Sequence, residues 1–197
     1  MIHPDCNFVH IINIKTMNFS IQQPLENERV KLVPLENNDF DALYQVAYDK
    51  EVWMQHPNKD RWKKEVFQLF FEGAIQSNGA FKIIDKSTND IAGCTRFYDY
   101  KESDNSILIG YTFYATKYWG TGLNPSVKKL MMDYIFQFVN RILLHVGAGN
   151  LRSQIAVGRL GATKIAEENV AYYGEASKLN FIYEIKKEDY LSASQTN

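Results

Sequence analysis

SILIGYTFYATKYWGTGLNP, residues 106–125, reads as a buried strand, a turn and the start of a helix. Its first half is apolar at successive positions and rich in β-branched and aromatic residues. That suits a central strand covered on both faces rather than a surface strand with strict alternation. After the turn the period changes. Val127, Leu130, Met131, Tyr134 and Phe138 recur at three- and four-residue steps, the apolar stripe of a helix lying on a sheet, with Lys128, Lys129, Asp133 and Gln137 on other faces. Asn124 reads as the N-cap and Pro125 as a tolerated first-turn proline. In the turn, Gly120 and Gly122 can take positive φ and carry no side chain to obstruct an anion. Their backbone N–H groups and the positive end of the helix dipole make a candidate phosphate site.

Neither nucleotide fingerprint is satisfied: the turn lacks GxxxxGK[ST], and Pro125 stands where GxGxxG requires its third glycine. What remains is Lys117-x-x-Gly120-x-Gly122, which as residues alone is also an ordinary glycine turn. It resembles the Q/R-x-x-G-x-G/A pyrophosphate loop of the GNAT superfamily of acetyl-CoA-dependent N-acetyltransferases, with lysine in the first place. GCTRFYDY (93–100), IGYTFYATKYWGTGLNP (109–125) and NLRSQIAVGRLGA (150–162) follow in the order of the branch containing the ribosomal-protein N-terminal acetyltransferases. The resemblance covers residues 25 to 187. It implies an α/β (α+β) fold with a mixed, mostly antiparallel sheet of six to seven strands, splayed central strands and flanking helices. It also implies acetyl-CoA as co-substrate, and transfer of acetyl to a primary amine by direct attack in a ternary complex. The amine would be a peptide or protein N-terminus or a small molecule.

By that resemblance the backbone at Trp119, Gly120, Thr121, Gly122, Leu123 and Asn124 cradles the pyrophosphate, and Lys117 adds a nearby charge. Phe113 and Ala115 pair with pantetheine amides, Asn150 bonds the pantetheine region, and Ser153 donates to the departing thiolate. Arg96 would hold an acidic group of the acceptor, and Trp53 and Tyr98, with His56, Trp62 and Tyr100, would wall its site. As residues alone, Asn150 is a helix N-cap, Ser153 a first-turn serine, Arg96 a strand residue or ion-pair partner, and the aromatics are packing. One position departs from the family pattern. Many relatives carry glutamate as general base in E-I-G-Y, where this chain has Leu108-Ile109-Gly110-Tyr111. Leucine accepts no proton, so water relays it, another group takes it, or activity is lost. His145 is a candidate replacement, since an unperturbed imidazole titrates at about 6.5, although strand alternation turns it away from the cleft. A catalytically impaired acyl-CoA-binding protein and a cofactor-free interaction domain remain the alternative classes.

A length of 197 residues fits one α/β domain. A formal charge of −1 without a basic cluster argues against nucleic acid or an anionic membrane as partner. The apolar stretch at 8–14 is too short and interrupted to span a bilayer. Cys6 and Cys94 lie far apart, and His3, His10, His56 and His145 are scattered, so neither disulfide nor metal is expected and a reducing cytoplasm is the default. Residues 1–20 read as an extension, either a leader before an alternative start at Met17 or an extra edge strand. Residues 21–190 read as the domain, monomeric or homodimeric, and 191–197 as a flexible tail. Within the domain, strands are expected at 29–35, 80–85, 91–98, 107–114, 142–146, 163–166 and 181–186. Helices are expected after Asn38-Asp39, around Trp62 to Gly73, after Asn124 and after Asn150.

Overall fold

One eight-stranded sheet carries the chain in a computed structural model that describes residues 19–171 and 176–194. The strands are β1 (Leu25–Glu26), β2 (Val30–Pro34), β3 (Ala80–Asp85), β4 (Ile91–Lys101), β5 (Ser106–Tyr114), β6 (Arg141–Gly147), β7 (Thr163–Val170) and β8 (Lys178–Lys186). Their spatial order is β1-β2-β3-β4-β5-β6-β8-β7, and every pairing is antiparallel except β5 with β6. The mixed, mostly antiparallel sheet is as expected, with one more strand than six to seven. The additional strand is β1, whose two residues are too short to show a period and are held by pairing with Leu32 and Lys31.

Helices α1 (Phe40–Ala47), α2 (Lys50–Trp53) and α3 (Lys64–Gln76) cover one face, and α4 (Leu123–Ile135) covers the other. Phe67, Phe70, Trp53 and Leu43 pack there with Phe113, whereas Val127, Met131 and Ile135 pack with Ile107, Ile109 and Phe97. Asn37–Asp39, expected to cap α1, forms a 3₁₀ turn of its own, closed by reciprocal bonds between Glu36 and Asp39. After β6 come α5 (Leu151–Gly158), the β7–β8 pair and α6 (Lys187–Ser194). Helix α6 extends into the stretch expected to be a tail, because Tyr190 is tied to α4 by a 2.6 Å bond from its hydroxyl to Asp133. The expected leader, with Cys6, His3 and His10, lies outside the described residues, as do residues 195–197.

Two features of β5 position the site. Cys94 faces Phe113 and Arg96 faces Gly110, so two steps on β4 oppose three on β5 and Tyr111 is squeezed into a bulge at φ +52°. The bulge resets the alternation of side chains: Ile107 and Ile109 face α4, but Tyr111 and Phe113 face α1 and α3. Strands β5 and β6 pair only from Ser106/Arg141 to Leu108/Leu143, then part, which is the expected splay.

Candidate active site

The fork between β5 and β6 opens into a cleft of about 810 Å³. Its outer end is the turn before α4. Gly120 and Gly122 take φ of +73° and +81°, and a Cβ at Gly120 would meet nothing within 4 Å. Gly122, rather than Asn124, is the N-cap, because its left-handed backbone starts the helix one residue earlier and frees the Asn124 side chain to accept from the Tyr114 hydroxyl at 3.1 Å. The N–H groups of Gly120, Gly122, Leu123 and Asn124 meet no acceptor among the described residues, and Pro125 has none to place. The helix therefore presents open donors and the positive end of its dipole to the cleft.

Expected site residues divide by place. Phe113, Trp119, Gly120, Gly122, Asn124, His145, Asn150, Ser153, Trp53 and Tyr98 line the cleft. Ala115, Lys117, Thr121, Leu123 and Arg96 do not. Lys117 extends outward to an ion pair with Asp90 at 2.7 Å, and Leu123 buries its side chain in the core. Arg96 is no acceptor ligand here. Its guanidinium bonds the Gly73 carbonyl at 3.0 Å, approaches that of Phe70 and stacks 3.9 Å from Tyr111, tying β4 to the end of α3. Trp53 is a core side chain whose Nε1 donates to Ala47 O at 2.7 Å, and it forms wall rather than contact surface. Asn150 performs the capping role, accepting from the Ser153 N–H at 3.1 Å.

His145 corrects the alternation argument. Leu144 and Val146 do face the α4 core, and His145 does face the other way, but the fork is open on both faces and His145 lines it. Burial pulls its imidazole below the ordinary value against the opposing pull of Glu168 and Asp99, so the ring is neutral at physiological pH and can accept a proton. His56, by contrast, already receives the Arg61 guanidinium on Nε2 at 3.2 Å. Burial first, then Arg61, holds His56 well below the ordinary value, and its lone pair is occupied. Leu108, at the last paired position before the fork, is 3% exposed and offers the cleft no polar atom.

Sequence reasoning missed Lys128. The buried stripe of α4 is Leu123, Val127, Lys128, Met131, Met132 and Ile135, rotated from the expected one, so Phe138 lies beyond the helix and Lys128 points inward. Steps of four and five from Leu123 mark this stripe, and an uncharged residue at 128 would have made it legible. Lys128 Nζ donates to Thr112 Oγ1 at 2.7 Å and Thr95 Oγ1 at 3.3 Å, and burial pushes its pKa down to about 7. Also missed was Arg152, which closes the outer cleft by bonding Val52 O at 3.3 Å and stacking 3.8 Å from Trp119. Arg61, Lys128, Arg152 and Arg159 line the cleft, and no carboxylate joins them among the described residues. That field favours an anionic ligand.

Comparison with solved structures gives the same architecture. A GCN5-related N-acetyltransferase from Brucella melitensis matches with a TM-score of 0.77 and 16% identity over 88% of this chain and 83% of that one. A GNAT-family acetyltransferase from Bacillus anthracis matches at 0.68 and 19% identity, over 84% and 99%. The spermidine N-acetyltransferase of Vibrio cholerae, solved with CoA and spermine, matches at 0.62 and 16% identity, over 84% and 99%. No curated protein matches the sequence significantly. The family model of the acetyltransferase (GNAT) domain matches residues 29–163, from the turn before β2 to the first residue of β7, and the chain belongs to the GNAT acetyltransferase family.

Proposed function

We propose that this protein transfers the acetyl group of acetyl-CoA to a primary amine by direct attack, with both substrates bound in the β5–β6 fork. The observation that carries the reading is the junction of the fork with the open amides of α4. Anionic phosphates seat on the helix end, and an arm rich in amides descends between two strands whose backbone groups have parted. Phe113 and Tyr114 on one side and Val146 and Gly147 on the other flank that arm. Ser153 faces it from the first turn of α5. The acceptor enters from the α1–α3 face, between Tyr98, Tyr111 and His145, and resembles the substrates of the ribosomal-protein N-terminal branch or a small amine.

In the reaction the amine lone pair attacks the thioester carbonyl and the nitrogen then loses a proton. His145 takes that proton, being neutral and on the acceptor face where Leu108 has replaced the family carboxylate. The rate should therefore rise with pH through a group titrating below 6.5, reach its plateau by neutral pH, and lose this limb in His145→Ala. Calorimetry with acetyl-CoA, followed by CoA release with a panel of peptide N-termini, polyamines and aminoglycosides, tests the whole reading. Binding without turnover on every amine would favour the second reading, an acyl-CoA-binding protein disabled at Leu108. Absence of binding would remove both.

A further inference from the structure

Lys128 is placed where the fold has no structural use for a charge. It is 5% exposed and bordered by two threonine hydroxyls that stand 2.8 Å from each other. Among the described residues no carboxylate pairs with it. A buried ammonium without a counter-ion costs several kcal/mol in general, and methionine would fill the same volume without that cost. Such a group in a cleft is a sign of function.

Its depth identifies the function. Lys128 lies five residues into α4 from Leu123, about 7.5 Å along the helix axis from the open amides. At that level it meets Thr112, the residue after the Tyr111 bulge and two from Gly110, where β5 begins to part from β6. A ligand with phosphates at the outer end and its arm in the fork brings the far end of that arm to this depth. Lys128 approaches from the α4 face, and His145 lies on the opposite face.

Resting on the acetyl-CoA reading of the cleft, we infer that Lys128 is a catalytic residue on the leaving-group side, its ammonium contacting the thioester sulfur and protonating it. The amine nitrogen forms the C–N bond, the C–S bond breaks with its electron pair on sulfur, and Lys128 Nζ gives sulfur a proton. The products are CoA thiol and a neutral lysine. The proton that the amine nitrogen sheds leaves by the acceptor face, and Lys128 is reprotonated from solvent, so the exchange closes. Thr112 and Thr95 hold the ammonium in place through hydroxyls that stay neutral. Burial brings its acidity close to that of a thiol, the match that favours transfer between them. The titratable neighbours leave it in this role. Cys94 on β4 stays protonated because burial raises its thiol, the Tyr114 hydroxyl on β5 is raised and bonded to Asn124, and Lys129 and Asp133 of α4 pair with each other.

The test needs no acceptor. CoA is bound to the full-length protein and its thiolate is followed by ultraviolet absorbance across pH, in wild type, Lys128→Met and Lys128→Arg, with calorimetry confirming occupancy. A cation against the sulfur should make bound CoA ionise at least about one pH unit below free CoA. Lys128→Arg should keep that shift and Lys128→Met should lose it while still binding CoA. A wild-type complex that titrates with free CoA overturns the inference even if neither variant folds, and leaves the cofactor reading intact. So does acetylation of Lys128 itself by acetyl-CoA, seen as a mass gain on its peptide, because an amide nitrogen donates no such proton. Failure of wild type to bind CoA overturns both readings.

Discussion

Two helix N-termini face the same cleft and are finished in opposite ways. At α5 the Asn150 carboxamide turns back onto the Ser153 N–H, so the helix supplies its own acceptor. At α4 a left-handed glycine takes the cap position, contributes no side chain, and leaves the Leu123 and Asn124 amides open. A helix end without an acceptor costs stability, so its persistence beside a cleft without carboxylates marks where an anion is expected. One terminus is built for stability and the other for a ligand.

The largest effect should come from breaking the open end. Valine at 122 must adopt φ near +81°, a strain of roughly 1–3 kcal/mol for a β-branched residue, and it also puts methyl groups over the amides. Gly122→Val should weaken acetyl-CoA binding by about 100-fold or more, equivalent to roughly 2.7 kcal/mol. Unchanged affinity in a variant whose circular dichroism is native would move the phosphate site elsewhere.

Breaking the closed end should be felt mainly as stability. Asn150→Ala removes a side-chain cap worth about 1 kcal/mol, which in a chain of this size lowers Tm by roughly 2–4 °C. CoA affinity should fall by less than that of the glycine variant. If Tm holds and affinity collapses, the asparagine belongs to the ligand and the contrast between the two helix ends is false.

The smallest effect sharpens the contrast. Lys117 is exposed and paired with Asp90, and surface pairs contribute little, so Lys117→Ala should change CoA affinity by about twofold or less. A large loss by calorimetry would mean that side-chain charge, not backbone amides, makes the α4 site.

How much of this was legible can be followed through single residues. The 106–125 stretch predicts strand, glycine turn and helix, and the structure has β5, the positive-φ pair and α4 there. Motif order carried the family and the splay, because both depend on local elements in sequence. Lys117 and Arg96 were assigned to ligands on the strength of charge alone, yet Asp90 and the Gly73 carbonyl, 27 and 23 residues away, captured them. His145 was turned away from the cleft by an alternation rule that is correct for the strand but assumes a cleft on one face.

Sequence by itself determined the elements, their order, the glycine turn that leaves room for phosphate, and the absence of an acid at Leu108. These follow from residue type, spacing and local backbone preference, which need no distant partner. Only the tertiary structure decided that Lys128 is buried, that Asn150 spends its carboxamide on a cap, and that Thr112 faces α4. The Tyr111 bulge reverses the strand's faces, and its position is set by registry against β4 rather than by the β5 residues alone. A period tells which residues share a face, but contacts between residues far apart in the chain choose which face meets the cleft.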